Sequence, residues 1–154
     1  MTEFYPGIPR IAFEGKDTDN PLAFRYYDPD ALVAGKPMRD HLRFAMSYWH
    51  TMVAEGTDMF GSGTLKKKYG SADAMESARN KAQAAFELMD KLGIEFYCFH
   101  DRDIAPEGET LAESNARLDE ISDLLLSLQK QYGKKVLWGT ANLFSNPRYA
   151  HGAG

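Results

Sequence analysis

Two long amphipathic helices, each followed by a short apolar run, constrain the fold of this chain more than any other feature. The first helix is predicted over residues 72–92 and the second between Thr110 and Gly133. The apolar runs at 94–100 and 135–140 have the length and composition of buried strands. Because strands that alternate with long helices pair in parallel through right-handed crossovers, the sequence predicts an α/β fold.

The apolar positions of both predicted helices recur at helical spacing, and local signals mark their first turns. Ser71 is placed to cap the first helix, because a hydroxyl oxygen can accept a backbone N–H that lacks a partner inside the helix. Thr110 and Glu113 form a capping box at the start of the second. The residues expected to face the core are Met75, Ala78, Ala82, Ala85, Phe86, Met89 and Leu92 in the first helix and Leu118, Ile121, Leu124, Leu125 and Leu128 in the second.

The pattern is weaker in the first part of the chain. Residues 1–36 contain four prolines among aromatic side chains, which predicts an extended N-terminal arm pinned to a surface. Residues 37–46 are predicted to form a helix, and residues 47–52, rich in aromatic and β-branched side chains, a strand. A long loop with four glycines follows at residues 53–70. The expected organisation is an arm over 1–36 and strand–helix units over 37–154.

The predicted sheet, with about three parallel strands and two crossover helices, is incomplete. Both edge strands lack a partner and no helix follows the last strand, although parallel sheets normally bury both faces. The chain has 154 residues, whereas a closed eight-stranded barrel needs about 250. The sequence therefore predicts an α/β fold that is the N-terminal part of a TIM (β/α)8 barrel.

Composition argues against several classes of partner. Acidic residues outnumber basic ones, 22 to 18, and the net charge of −4 argues against a nucleic-acid partner. No apolar run approaches the ~18–20 residues that cross a bilayer, so we expect no membrane partner. The single cysteine, Cys98, excludes an intrachain disulfide and makes a reducing cytoplasm the simplest location.

A histidine stands where ligands of parallel α/β folds bind, at the carboxyl end of a predicted strand. Phe96, Cys98 and His100 share one strand parity, and His100 is the last of them. Asp103 follows three residues later and can accept a hydrogen bond from one ring nitrogen, which leaves the other nitrogen to face a substrate. The alternative is a polar loop whose aspartates only form turns.

Aromatic side chains near the strand ends are candidates for the wall of a pocket. Trp49 and Trp138 can exclude water there, although packing in the core is the alternative explanation. Phe60 lies in the glycine-containing loop, where an aromatic side chain often contacts a partner subunit or a ligand, and chance exposure is the alternative. We predict no metal site, because the strand ends offer few of the converging carboxylates that a hard cation needs.

Long segments of this sequence resemble the N-terminal portion of xylose isomerase, of the longer type that carries an N-terminal arm. The resemblance runs from about Tyr5 to Gly152 and rests on the segments NPLAFRYYDPD, HLRFAMSYWHTM, GTDMFGSGT, FYCFHDRDIAPEG and LWGTANLFSNPRYAHGA. It implies a (β/α)8 barrel that assembles as a homotetramer and interconverts D-xylose and D-xylulose. It also implies that the full-length protein uses two divalent cations, Mg²⁺, Mn²⁺ or Co²⁺.

The resemblance assigns roles to single residues. In the segment FHDRD, His100 matches the histidine that binds the sugar ring oxygen and assists ring opening, and Asp103 matches the aspartate that orients it. Trp49 and Trp138 match the tryptophans of the sugar pocket, and Phe60 matches an aromatic side chain that a neighbouring subunit donates. The metal ligands and the catalytic lysine of the family have no counterpart in this chain.

Two hypotheses about function follow. The first is an N-terminal segment of a xylose isomerase, inactive alone because the metal-assisted hydride shift lacks its metal ligands. The second is a non-catalytic α/β fragment or module that associates through exposed sheet edges. Isomerase activity and the state of association distinguish the two.

Overall fold

A computed structural model describes residues 3–57, 59–61, 63–65, 67, 69–143 and 149. Within these residues the elements are β1 (Leu32–Val33), β2 (Lys36–Pro37), α1 (Met38–His41), β3 (Ala45–Ser47), a π-helical turn (Trp49–Val53), α2 (Ala74–Leu92), β4 (Phe96–His100), α3 (Asp101–Ile104), α4 (Leu111–Tyr132) and β5 (Lys135–Thr140). None of the helices in these ranges is long and apolar enough to cross a membrane.

A parallel sheet with the strand order β3-β4-β5 organises the described fold. Ala45 of β3 pairs with Phe96 of β4, and His100 at the end of β4 pairs with Thr140 of β5. Helix α2 connects β3 to β4, helix α4 connects β4 to β5, and the two helices pack against each other. The predicted α/β fold with parallel strands is therefore confirmed, and β5 covers residues 135–140 as predicted.

The elements before the long loop differ from the prediction. Helix α1 has four residues, whereas the sequence predicted a helix over 37–46. Strand β3 ends at Ser47, where the predicted strand 47–52 begins, and the π-helical turn occupies most of that range. Tyr48 and Met52 are both buried at a four-residue spacing, which is a helical spacing. The side chains that favoured a strand therefore reach the core from a helical turn.

Buried side chains between the sheet and the two long helices form the core. Met75, Leu118 and Leu124 pack at its margin. Its buried members are Met46, Tyr48, Met52, Tyr69, Ala78, Ala82, Ala84, Ala85, Phe86, Met89, Tyr97, Ile104, Ala105, Ile121, Leu125 and Leu128. The apolar stripes of the two predicted helices thus supply eight of these sixteen residues.

One of the two predicted helix caps is wrong. Asp73 Oδ1 accepts the N–H of Glu76 at 2.6 Å, so Asp73 and not Ser71 caps α2. The hydroxyl of Ser71 lies two residues before this cap and accepts the N–H of Asp73 at 3.3 Å. At α4 the prediction is confirmed, because Thr110 Oγ1 accepts the N–H of Glu113 at 3.1 Å.

Polar contacts pin the start of the chain to α2. The carboxylate of Glu87 accepts the backbone N–H groups of Phe4 and Tyr5, at 2.7 and 3.0 Å. Lys91 Nζ donates to the carbonyl oxygen of Tyr5 at 2.6 Å and lies 3.0 Å from the Glu87 carboxylate. One helical turn of α2 therefore holds the first residues of the chain by charge-assisted bonds. The division of the chain at residue 36 stays a prediction.

Acid should loosen this attachment. Burial would raise the pKa of Glu87, but hydrogen bonds from the Phe4 N–H, Lys91 and the Tyr5 N–H outweigh it and lower the pKa. A carboxylate whose pKa is lowered by folding stabilises the fold above its unfolded pKa of about 4.3 and loses that contribution as the pH falls towards the folded value. We expect Glu87→Gln to reduce the difference in urea-unfolding free energy between pH 7 and pH 3.

The matched control is Glu95→Gln. Glu95 is a half-exposed glutamate that pairs with Lys135 at 2.7 Å. Because an exposed ion pair contributes little to stability, this variant should change the pH dependence less than Glu87→Gln does. An unchanged pH dependence in Glu87→Gln would contradict the assignment.

Candidate functional site

The carboxyl ends of the three parallel strands meet at one end of the sheet. The π-helical turn follows β3, α3 follows β4 directly, and His100 at the end of β4 pairs with Thr140 at the end of β5. Cys98 lies opposite Trp138 in the same register. The fold therefore gathers the predicted site residues of three separate segments at this end.

His100 and Asp103 form a hydrogen-bonded pair. The ring nitrogen Nδ1 of His100 lies 2.9 Å from Asp103 Oδ2, and the backbone N–H of His100 donates to the same oxygen at 2.7 Å. The side chains of His100 and Asp103 are 22% and 8% exposed. Because a carboxylate can only accept, the neutral ring carries its proton on Nδ1 and presents the lone pair of Nε2.

Two tryptophans surround the His100 ring. The ring centroid of Trp49 lies 4.8 Å from that of His100 and 5.3 Å from that of Trp138, and the centroids of His100 and Trp138 are 5.9 Å apart. Trp49 is half-buried, whereas Trp138 is 41% exposed. Four of the five predicted site residues are thus brought into one cluster, whose apolar walls strengthen polar contacts inside it.

Phe60, the fifth predicted residue, differs from the other four in its high exposure. Its side chain is 89% exposed on the loop that precedes α2. The roles of Phe60 and of the other four residues stay predictions.

The remaining histidines lie outside the pair. The ring of His50 lies 5.5 Å from that of Trp49, and its side chain is exposed. Nε2 of His41 lies 2.8 Å from the carbonyl oxygen of Val33, which is a structural contact. His151 lies outside the described residues.

Lys81 is a neighbour of the pair that the sequence did not single out. Its ammonium group lies 3.5 Å from the backbone carbonyl oxygen of Asp103. Burial lowers the pKa of Lys81, and the carboxylates of Asp103 and Glu55 oppose that shift. The sequence feature that could have identified Lys81 is its position in the helix. It follows the buried Ala78 by three residues, which places both side chains on the same face of α2.

Cys98 lies on the strand that carries His100, but its chemistry is that of a core residue. Its Sγ atom is buried 3.7 Å from the carbonyl oxygen of Met46. Burial raises the pKa of the Cys98 thiol, and the nearby Asp103 carboxylate raises it further. The thiol therefore stays protonated at neutral pH and is a poor nucleophile.

The described residues do not provide a metal centre. Among them, no group of three or more His, Cys, Asp and Glu side chains is placed to hold a metal ion. Asp101 and Asp103, the carboxylates at the end of β4, are engaged with N–H groups of the protein. What the site offers is an oriented imidazole between aromatic rings.

Several known proteins are similar in sequence to this chain over almost its whole length. Over 154 residues, 99% of its length, the chain is 53% identical to a xylose isomerase of Thermotoga maritima. It is 51% identical over 152 residues, 98% of its length, to a xylose isomerase of Thermoanaerobacter sp., and 52% identical over the same share to one of Caldicellulosiruptor bescii. The resemblance to the xylose isomerases is confirmed.

The match covers only part of each relative. The chain spans about a third of the length of these xylose isomerases, 35% in each case, at their N-terminal end. No protein-family model matches the chain. The similarity therefore relates this chain to an isomerase family through one segment of the longer proteins.

Removing the negative charge of Asp103 tests the hydrogen bond to His100. Asp103→Asn replaces an obligate acceptor by a group that can also donate, so the neutral His100 ring should shift towards the tautomer with its proton on Nε2. Nitrogen-15 NMR of the imidazole rings at pH 8 measures this directly, with His50 as internal reference. An unchanged tautomer of His100 would show that Asp103 does not fix the ring.

Proposed function

We propose that this chain forms part of the sugar site of an aldose–ketose isomerase that converts D-xylose to D-xylulose. The observation that carries the proposal is the His100–Asp103 pair at the strand ends, with the Nδ1–Oδ2 distance of 2.9 Å. The similarity to xylose isomerases over 99% of the chain supports the substrate class. In this proposal His100 and Asp103 act in catalysis, and Trp49, Trp138 and Phe60 line the sugar pocket.

The first step assigned to this chain is opening of the sugar ring. The lone pair of His100 Nε2 takes the proton of the anomeric hydroxyl and shares it with the ring oxygen of the cyclic sugar. That proton moves onto the ring oxygen as the bond between this oxygen and C1 breaks and the aldehyde forms, which returns the imidazole to its neutral form. Asp103 stabilises the charged form of the imidazole and keeps the ring aligned for this transfer.

The aromatic walls support the same step. Trp49 and Trp138 exclude water around His100, and flat aromatic faces suit the apolar C–H surfaces of a sugar. Phe60, exposed on its loop, extends towards the site of a neighbouring subunit in a homotetramer. This role for Phe60 accounts for a large aromatic side chain that is 89% exposed.

The later steps depend on parts that the described residues do not contain. The full-length relatives are expected to bind two divalent cations, Mg²⁺, Mn²⁺ or Co²⁺, and to complete a (β/α)8 barrel. The described residues offer no ligand set for such ions. We therefore assign ring opening alone to this segment, propose that the isolated chain is inactive, and propose a cytoplasmic location for the complete enzyme.

A chimera tests the proposal. The 154 residues of this chain replace the matching segment of the Thermotoga maritima xylose isomerase, to which they are 53% identical. With Mg²⁺, Mn²⁺ or Co²⁺ present, this chimera should convert D-xylose to D-xylulose. His100→Ala in the chimera should slow conversion of the cyclic sugar by roughly 10²–10⁴-fold. Turnover of an open-chain substrate should fall much less.

The control variant is His41→Ala. His41 is an exposed histidine of α1, so this variant should leave both rates unchanged. Equal losses on cyclic and open-chain substrates in His100→Ala would refute the ring-opening role. Formation of D-xylulose by the isolated chain above background would refute its inactivity.

A second candidate function rests on the edges of the sheet. All six residues of β5 are exposed, and Val136, Leu137 and Trp138 present apolar side chains to solvent. Strand β5 is also paired on one side only within the described sheet, and the unpaired N–H and C=O groups of an edge strand are a template for pairing with another chain. The alternative is therefore a non-catalytic α/β module that associates through these edges.

Sedimentation separates the two candidates. The module hypothesis predicts a concentration-dependent oligomer of the isolated chain that Leu137→Lys dissociates. Leu126→Lys, on the exposed face of α4, is the matched control and should leave the oligomer intact. A compact monomer at all concentrations would count against the module hypothesis.

A further inference from the structure

The carboxylate of Asp101 joins the ends of two strands. Its Oδ1 atom accepts the backbone N–H of Asn142 at 2.7 Å and the N–H of Arg102 at 2.8 Å. Asn142 is 41 residues away in sequence. The Asp101 side chain is 24% exposed, so water competes little for these bonds. A charge-assisted contact of this length is about twice as strong as a neutral one.

This contact begins where the strand pairing ends. The last paired residues of β4 and β5 are His100 and Thr140. Asn142 lies two residues beyond Thr140, after the last rung of the ladder. Within the described sheet, β5 is paired on one side only, by the ladder to β4. Asp101 therefore extends the attachment of this edge strand past its last pair.

The same edge strand carries one wall of the candidate site. Trp138 stands on β5, and its ring centroid lies 5.9 Å from that of His100. Gly139 follows under the ring of Phe99, where an added Cβ would lie 3.0 Å from the nearest ring atom. Sliding or fraying of β5 would move Trp138 relative to His100.

We propose that Asp101 is a positioning residue, which fixes the chain leaving β5 and thereby holds the Trp138 ring against His100. The functional meaning of this position rests on the proposed sugar site. The role is separate from that of Asp103, which contacts the imidazole itself.

The negative charge of Asp101 and the position of its acceptor oxygen contribute separately to the bond with Asn142. Asp101 Oδ2 lies 3.6 Å from Nε of Arg102, and Nη1 of Arg102 is buried with no hydrogen bond to the part of the chain that the structure describes. Asp101→Asn keeps an oxygen acceptor for both N–H groups but removes the charge. Asp101→Ala removes both. The pair of variants separates the two contributions.

Hydrogen exchange measured by NMR on the whole chain tests the proposal. In Asp101→Ala the amide of Asn142 should exchange at least about tenfold faster than in the wild-type chain. The amide of Tyr97, inside the sheet, should keep its protection. Cross-peaks between the ring protons of Trp138 and His100 should weaken, and Asp101→Asn should give smaller changes of the same kind. The matched control is Asp123→Ala, which changes an exposed aspartate of α4. It should change neither the exchange rate of Asn142 nor the cross-peaks between Trp138 and His100.

Two results would overturn the proposal. The first is an unchanged exchange rate for Asn142 in Asp101→Ala. The second is faster exchange of Asn142 with undiminished contact between the two rings, because the bond would then be structural without positioning Trp138. If Asp101→Ala does not fold, Asn142→Pro removes the donor and leaves the carboxylate. This variant has no amide proton at position 142, so the cross-peaks between the ring protons of Trp138 and His100 decide, and undiminished cross-peaks would overturn the proposal. No sugar enters these measurements, so a failed isomerase assay leaves their outcome unaffected.

Discussion

Strand β4 is the element on which the other described features depend, because it pairs with a neighbour on both sides. Its two ladders bring β3 and β5 into parallel register, and the side chain of Tyr97 anchors it in the core. Parallel pairing also sends the ends of all three strands to the same side. The histidine that ends β4 therefore stands between segments that are far apart in sequence, and a chemical site arises from backbone hydrogen bonding.

The strongly periodic parts of this fold could be predicted from sequence, and the weakly patterned parts could not. Helix α4 and strand β5 have clear start and stop signals, so their bounds agree closely with the prediction. The segment around Trp49 combines strand-forming residues with apolar side chains at helical spacing. Local preference and burial disagree there, and burial decides in favour of the π-helical turn. At the start of α2 the prediction of Ser71 failed because Asp73, two residues later, also carries an oxygen that can accept a backbone N–H, and the helix begins after Asp73.

The candidate site, too, could be predicted from the sequence only in part. The spacing of His100 and Asp103 allowed their contact to be predicted, beside the alternative of a loop whose aspartates only form turns, and the structure brings the two side chains together. The closeness of Trp49 and Trp138 to that ring was open, since packing in the core was the alternative explanation for each tryptophan. Lys81 could not be connected to Asp103 without the packing of α2 against α3. Contacts between distant segments depend on crossover geometry, which no local pattern encodes.

The shared acceptor at Asp103 has a consequence for ligand affinity. One oxygen receives both the main-chain N–H and the ring nitrogen of His100, so the rotamer of the imidazole is tied to the path of the strand. A side chain that is already immobile loses little conformational entropy when a ligand arrives. The free energy of ordering this group is spent during folding, and more of the contact energy at Nε2 remains available as binding affinity.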